Sequence, residues 1–284
     1  MRARDEKLLQ KLAVYLNFHA DAVTEADVRA LSSEFSLTAA QAFALLLAGA
    51  LGLDAAENEE DARTVREDFP RMLHPLDAAA YANDPYTQAV HKASARMGAF
   101  ELGYASYRPY ELFVADDLRA YPDGAVLPVL GYFTRPFAYP VLTENGREWM
   151  TATPNEINTI QPMAEAAHGH VLTLGLGLGY FAFHALLNPR VERVTAVERS
   201  ADAIRLFRER ILPAFPRPER LTILQADAFA AAPALYRSGQ YDFVFADLWH
   251  DAADGLPMYE RLKQMEVPGP EYRYWIEKTL EFYR

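Results

Sequence analysis

Residues 171–187, VLTLGLGLGYFAFHALL, constrain the fold more than any other stretch of this chain. An apolar run from Val171 to Leu174 passes into Gly175-x-Gly177-x-Gly179 and then into an apolar helical segment that starts near Tyr180. Glycines at alternate positions suit a turn that must be tight and a ligand that must approach the backbone with no Cβ in between. The helix that follows points its free amide groups at whatever binds there. A tight strand-to-helix turn with no ligand uses glycine in the same way, so the triplet alone leaves both readings open.

The residues downstream narrow the choice. RVERVTAVE reads as a second strand ending at Glu198, where a carboxylate can accept both hydroxyls of an adenosine ribose. Residues 201–212 have the pattern of an amphipathic helix stopped by Pro213 and Pro216. LTILQAD is a third strand with Asp227 just past its end, and YDFVFADLWHD a fourth ending at Asp247. Strands and helices in this alternation predict an α/β fold with a Rossmann-like parallel sheet and its ligand groups gathered along one edge. Asp227 and Asp247 read as ligand groups, with loop capping as the alternative.

These residues resemble the class I S-adenosylmethionine-dependent methyltransferases, and within them the branch related to spermidine synthase. Residues 171–179 look like that family's first motif, Glu198 like its ribose-binding acid, and Asp227-Ala228 like the loop that faces the adenine amino group. Asp247 matches the acidic position beside the methyl donor, and Arg147 to Ile157, REWMTATPNEI, looks like the hairpin strand and helix start that precede the glycine motif. The likeness covers about 145–265. It implies S-adenosyl-L-methionine as cofactor, held by Thr173, Gly175, Gly177, Gly179, Glu198, Asp227, Ala228 and Asp247. Thr173 stands where many methyltransferases carry an acid, so the donor's ammonium needs another partner. The loop also lacks the GGGDG of the spermidine synthases, and Asp247-Leu248-Trp249-His250-Asp251 departs from their catalytic D-S-x-D-P. Methyl transfer to a small, amine-containing or cationic substrate is therefore the leading expectation. An aminopropyltransferase and a non-catalytic adenosine-ligand-binding or scaffold protein are the alternatives.

Catalysis is expected of Asp247 and His250, since histidine as a residue type titrates near neutrality. The alternative for His250 is a surface-loop histidine. Trp249 either stacks on a planar or cationic substrate or packs its loop. Tyr107 belongs to an aromatic-rich stretch over 70–110 whose phenols either line a substrate cleft or pack between domains. His168 and His170 lie at the far end of the first strand and are read as structural. The histidines form no metal set, and the absence of cysteine excludes disulfides, thiolate metal sites and cysteine nucleophiles.

Ahead of the glycine loop, helices are expected over 5–19, from a cap at Thr24 with Asp27 in the capping-box position, and over 38–48. The third offers Gln41 as its only long polar side chain and no Lys or Arg, which disfavours a DNA-reading helix. With 28 basic against 39 acidic residues, nucleic acid is not an expected partner. The acid-rich stretch 54–68 reads as a solvated linker or helix face. A helix is expected over 86–102, and a small antiparallel sheet over about 111–151, turned by Glu144-Asn145-Gly146-Arg147 and placed to shape the mouth of the next domain. The predicted domains are a helical module at 1–105, a small antiparallel β region at 106–152 and a Rossmann-like domain at 153–284. The helical module is a candidate dimerisation element. No signal peptide or membrane span is read, so a cytoplasmic location is the default.

Only residues 248–284 follow Asp247. That is too little chain for the three strands that complete a seven-stranded methyltransferase sheet. A C-terminally shortened sheet is expected, with EYRYWIEKTLEFYR as a final helix covering its edge.

Overall fold

The computed structural model describes residues 2–90 and 94–284, apart from the side chain of Ala3. The chain forms two compact units: residues 1–81 with 106–138, and residues 82–105 with 139–284.

The first unit opens with α1 (Ala3–Phe18), α2 (Glu25–Phe35) and α3 (Ala39–Ala50). Thr24 and Thr38 start α2 and α3 through complete capping boxes, with Asp27 and Gln41 returning the hydrogen bond to the cap amide. The acid-rich stretch becomes α4 (Glu59–Arg63) and a π-helical turn at Thr64–Asp68, followed by α5 (Phe69–Met72), β1 (Leu73–Pro75) and α6 (Ala78–Ala82). After α7 (Pro85–Val90), β2 (Ala95–Met97) and β3 (Phe100–Tyr107), which belong mainly to the second unit, the chain returns as β4 (Phe113–Ala120) and β5 (Val126–Tyr132). β5 is buried along its whole length and pairs parallel with β1 and antiparallel with β4. Phe43 of α3 packs on Tyr110 and Tyr132, with centroids 5.5 and 4.3 Å apart. Asp5 and Asp68 are wholly buried in this unit. Arg2 Nη2 lies 2.7 Å from Asp5 and 3.3 Å from Asp68, and Arg4 Nη2 lies 3.2 Å from Asp68.

In the second unit β6 (Phe137–Glu144) and β7 (Arg147–Thr151) form the expected hairpin, with Asn145 and Gly146 at φ +52° and +77°. The strands expected between 111 and 151 all form, divided between two sheets, with β2-β3-β6-β7 as the second. The helix expected over 86–102 is corrected. Only its start is helical, residues 91–93 lie outside the described part, and Gly98 at φ +57° turns β2 back on β3 so that Met97 pairs with Phe100.

From α8 (Pro154–Ala166) onward the alternation runs β8 (Gly169–Leu174), α9 (Tyr180–Leu187), β9 (Val191–Glu198), α10 (Ala201–Arg210), β10 (Leu221–Gln225), α11 (Ala228–Arg237), β11 (Phe243–Ala246), α12 (Ala252–Lys263), β12 (Glu271–Tyr274) and α13 (Glu277–Tyr283). The sheet is Rossmann-like, all parallel and ordered β10-β9-β8-β11-β12. The chain moves outward from β8 to β10 and then returns on the other side of β8. The order therefore reverses between β8 and β11, and such a switch point opens a crevice at the carboxyl ends of the strands. The sheet has five strands among the described residues, one more than the four read from sequence. The final segment is corrected accordingly: Glu271–Tyr274 is a strand, Ile276 turns at φ +46°, and only Glu277–Tyr283 is helical. No single helix among the described residues is long and apolar enough to cross a membrane.

Candidate functional site

The crevice at the switch point opens into a cavity of about 300 Å³ in the second unit. Thr173, Gly175, Gly177, Glu198, Asp227, Ala228, Asp247, Trp249 and His250, all singled out from sequence, line it. Gly179 and Tyr107 do not. Gly179 caps α9 at φ +80°, where a Cβ would meet Phe207 at 2.5 Å and Phe215 at 2.8 Å. Tyr107 stacks on Phe113 at 4.1 Å.

The three glycines answer different demands. At Gly175, φ +96°, a Cβ would stand 2.1 Å from the carbonyl oxygen of Asp247, so glycine there lets β11 close against the loop. Gly179 is required by aromatic packing. Gly177, φ +50°, faces the side chain of Met150, whose Cγ would lie 2.9 Å from a new Cβ. Packing within the protein explains Gly175 and Gly179, while Gly175 and Gly177 both line the cavity. The loop is tied on both sides: the Gly175 amide donates to Val197 and the Asp247 amide to Leu174, each at 3.0 Å. Tyr86 donates its hydroxyl to the Leu178 carbonyl at 2.7 Å. Tyr180 donates to Asp84 at 3.0 Å, and His184 Nε2 lies 3.1 Å from the same carboxylate. Burial alone would raise the Asp84 carboxyl, but the His184 imidazole beside it and the hydrogen bond from the Thr87 amide outweigh it and hold the group below its ordinary range. Asp84, His184, Tyr86 and Tyr180 form a clamp that sequence reading missed, because Asp84 and His184 are brought together only by tertiary packing.

Thr173 is buried, and its hydroxyl donates to the Gly175 carbonyl at 3.2 Å, bracing the loop. Glu198 ends β9 and accepts from the Ser200 amide at 2.8 Å, while Asp227 caps α11 by accepting from the Ala230 amide at 2.9 Å. Both therefore act as local caps while lining the cavity, and each carboxylate has a second oxygen to offer. His250 is 61% exposed and its Nδ1 lies 3.2 Å from Asp254, which also takes the amides of His250 and Asp251. Trp249 is buried against Gly255, where a Cβ would come within 2.7 Å of the indole, and its Nε1 has no partner among the described residues. Trp249 thus packs its loop and faces the cavity at once.

Asp247 is the unusual group. No donor or cation among the described residues reaches its carboxyl, and desolvation in the crevice pushes it up to about 7, although part of the residue remains open to the cavity. Glu156 of α8 stands close enough to Asp247 for their charges to interact. Sequence reading also missed Trp149, Met150 and Phe229 on the cavity wall. The Asn-Gly hairpin could have flagged the first two, since β7 carries them directly after the turn. Arg199 lies over the Trp149 ring, 5.1 Å from its centroid. No protein-family model matches the sequence, and no curated protein is detectably similar to it.

Proposed function

We propose that the cavity is the site of an S-adenosyl-L-methionine-dependent methyltransferase acting on a small, amine-containing or cationic substrate. The observation that carries this reading is the set of groups at the switch point: a glycine loop open at Gly177, a carboxylate at the end of β9, a capping carboxylate after β10 and an acid after β11 with no partner among the described residues. Gly175 to Gly177 would receive the donor along the backbone, Glu198 the ribose hydroxyls, and Asp227 with Ala228 the adenine. The bound donor would supply an electrophilic methyl group on a positively charged sulfur. Asp247 would stabilise that positive charge and orient the incoming nucleophile, and the aromatic walls exclude water from the reacting line. His250, held by Asp254 at the rim, is the group placed to receive a proton from an amine substrate. Acidic groups on the rim and wall favour a cation over a polyanion.

The β6–β7 hairpin and α8 line the cavity with Trp149, Met150 and Ile160, in the order the spermidine synthase relatives use, and this favours an aminopropyl donor as the second reading. Calorimetry with S-adenosylmethionine tests the common core of both. Wild type should bind it, while Gly177→Val and Glu198→Ala, checked for folding by thermal melts, should lose at least about 1.4 kcal/mol, a tenfold weakening. A folded wild type that binds no adenosyl ligand would overturn the reading. Labelled-methyl transfer to a metabolite extract, set against turnover of decarboxylated donor with putrescine, separates the two reactions.

A further inference from the structure

Glu156 is 8% exposed and pairs with no cation among the described residues. Its Oε1 accepts only a long hydrogen bond from the Thr151 hydroxyl at 3.4 Å, and its Oε2 has no partner among the described residues. Thr153-Pro154-Asn155-Glu156 has the spacing of a capping box, yet the Thr153 side chain caps nothing and Glu156 turns inward instead. Ile160, one turn along the same face of α8, lines the cavity, as does Met150 beside Thr151. A buried carboxyl left this way is costly unless it stays protonated or meets a cation.

We infer that Glu156 and Asp247 act as one acid pair that presents a single negative charge to the ammonium of the ligand's amino-acid end, supplying the carboxylate that Thr173 does not. The inference rests on the reading of the cavity as an adenosyl-ligand site. Glu156 acts through Asp247 as a positioning residue. As the ammonium enters near pH 7, the fraction of Asp247 still protonated gives its proton to solvent while Glu156 keeps its own, leaving the pair with one negative charge. Burial, then the neighbouring charges of Asp247 and Glu148, hold the Glu156 carboxyl well above its ordinary range, against the Thr151 hydrogen bond. Glu148 and Tyr86 are the other titratable groups near Glu156. Glu198, Arg199, Asp227, His250 and Asp254 share the cavity with Asp247.

Calorimetry with S-adenosylhomocysteine, which carries the ammonium, and methylthioadenosine, which lacks the amino-acid end, tests the pair. In Asp247→Asn, Glu156 loses its charged neighbour and ionises in its place, so S-adenosylhomocysteine should weaken by about fivefold or less. Asp247→Asn/Glu156→Gln should weaken it by about fiftyfold or more, with methylthioadenosine within about twofold throughout. Repeating the wild-type titration near pH 7 in buffers of different ionisation heat should show proton release with S-adenosylhomocysteine, and the double variant should show none. An Asp247→Asn loss as large as that of the double variant would overturn the pair. If wild type binds neither ligand, the adenosyl site itself is overturned.

Discussion

In the first unit Asp5 and Asp68 are fully buried against Arg2 and Arg4, whereas in the second the buried Glu156 and the half-buried Asp247 meet no cation among the described residues. The first pair accepts what the fold supplies: Asp5 takes the guanidinium of Arg2 and the Val126 amide, so its charge is fully used in holding α1 to β5. The second pair meets no cation among the described residues, and its Asp247 lines a cavity. Burial of a carboxyl therefore carries no functional message by itself. Its message lies in whether the surrounding chain has already answered it.

Breaking the answered side should give the largest effect. Asp68→Ala breaks a wholly buried carboxylate's pairs with Arg2 and Arg4 and should cost about 3–5 kcal/mol in urea denaturation. The unanswered side should respond with the opposite sign. The folded Asp247 carboxyl is raised to about 7 from an unfolded value near 4, so between those values the unfolded chain holds fewer protons and stability falls as pH rises. Asp247→Asn removes that penalty. Thermal and urea unfolding should find the variant more stable than wild type by up to about 4 kcal/mol at pH 8, with the difference gone by about pH 4. A destabilised Asp247→Asn at pH 8 would place this aspartate among the structural acids. The smallest test compares caps. Thr24→Ala opens a complete capping box and should cost about 1 kcal/mol, whereas Thr153→Ala removes a side chain that caps nothing and should change stability by less than about 0.5 kcal/mol.

The parts legible in sequence were those written in short-range patterns. The glycine spacing, the strands ending at Glu198 and Asp247, the Asn-Gly hairpin and the Thr24 cap each reside within a few consecutive residues, and the structure contains each of them. The final strand was hidden because Tyr272, Trp275, Ile276 and Leu280 fall at helical intervals. Over Glu271–Tyr274, however, the operative period is two, with Tyr272 packing on Tyr236 and Tyr274 on Tyr259. Glu156 was hidden for a different reason. Its T-x-x-E setting describes an ordinary cap, and only the fold reveals that the cap is open and the acid turned inward. The clamp of Asp84 on Tyr180 and His184 joins residues far apart in the chain, which no local pattern records.

The unequal demands on the three glycines bear on how this loop would drift over generations. A descendant that no longer held a ligand would still need Gly175, because the Asp247 carbonyl fills the space of its missing side chain, and Gly179, because Phe207 and Phe215 do the same. Selection on folding would preserve most of the glycine signature long after its use had gone. Gly177, opposed by the side chain of Met150 rather than by backbone or aromatic rings, would be the first of the three released to vary. Among diverged copies of this chain, the residue at that one position is the place to look for a lost occupation.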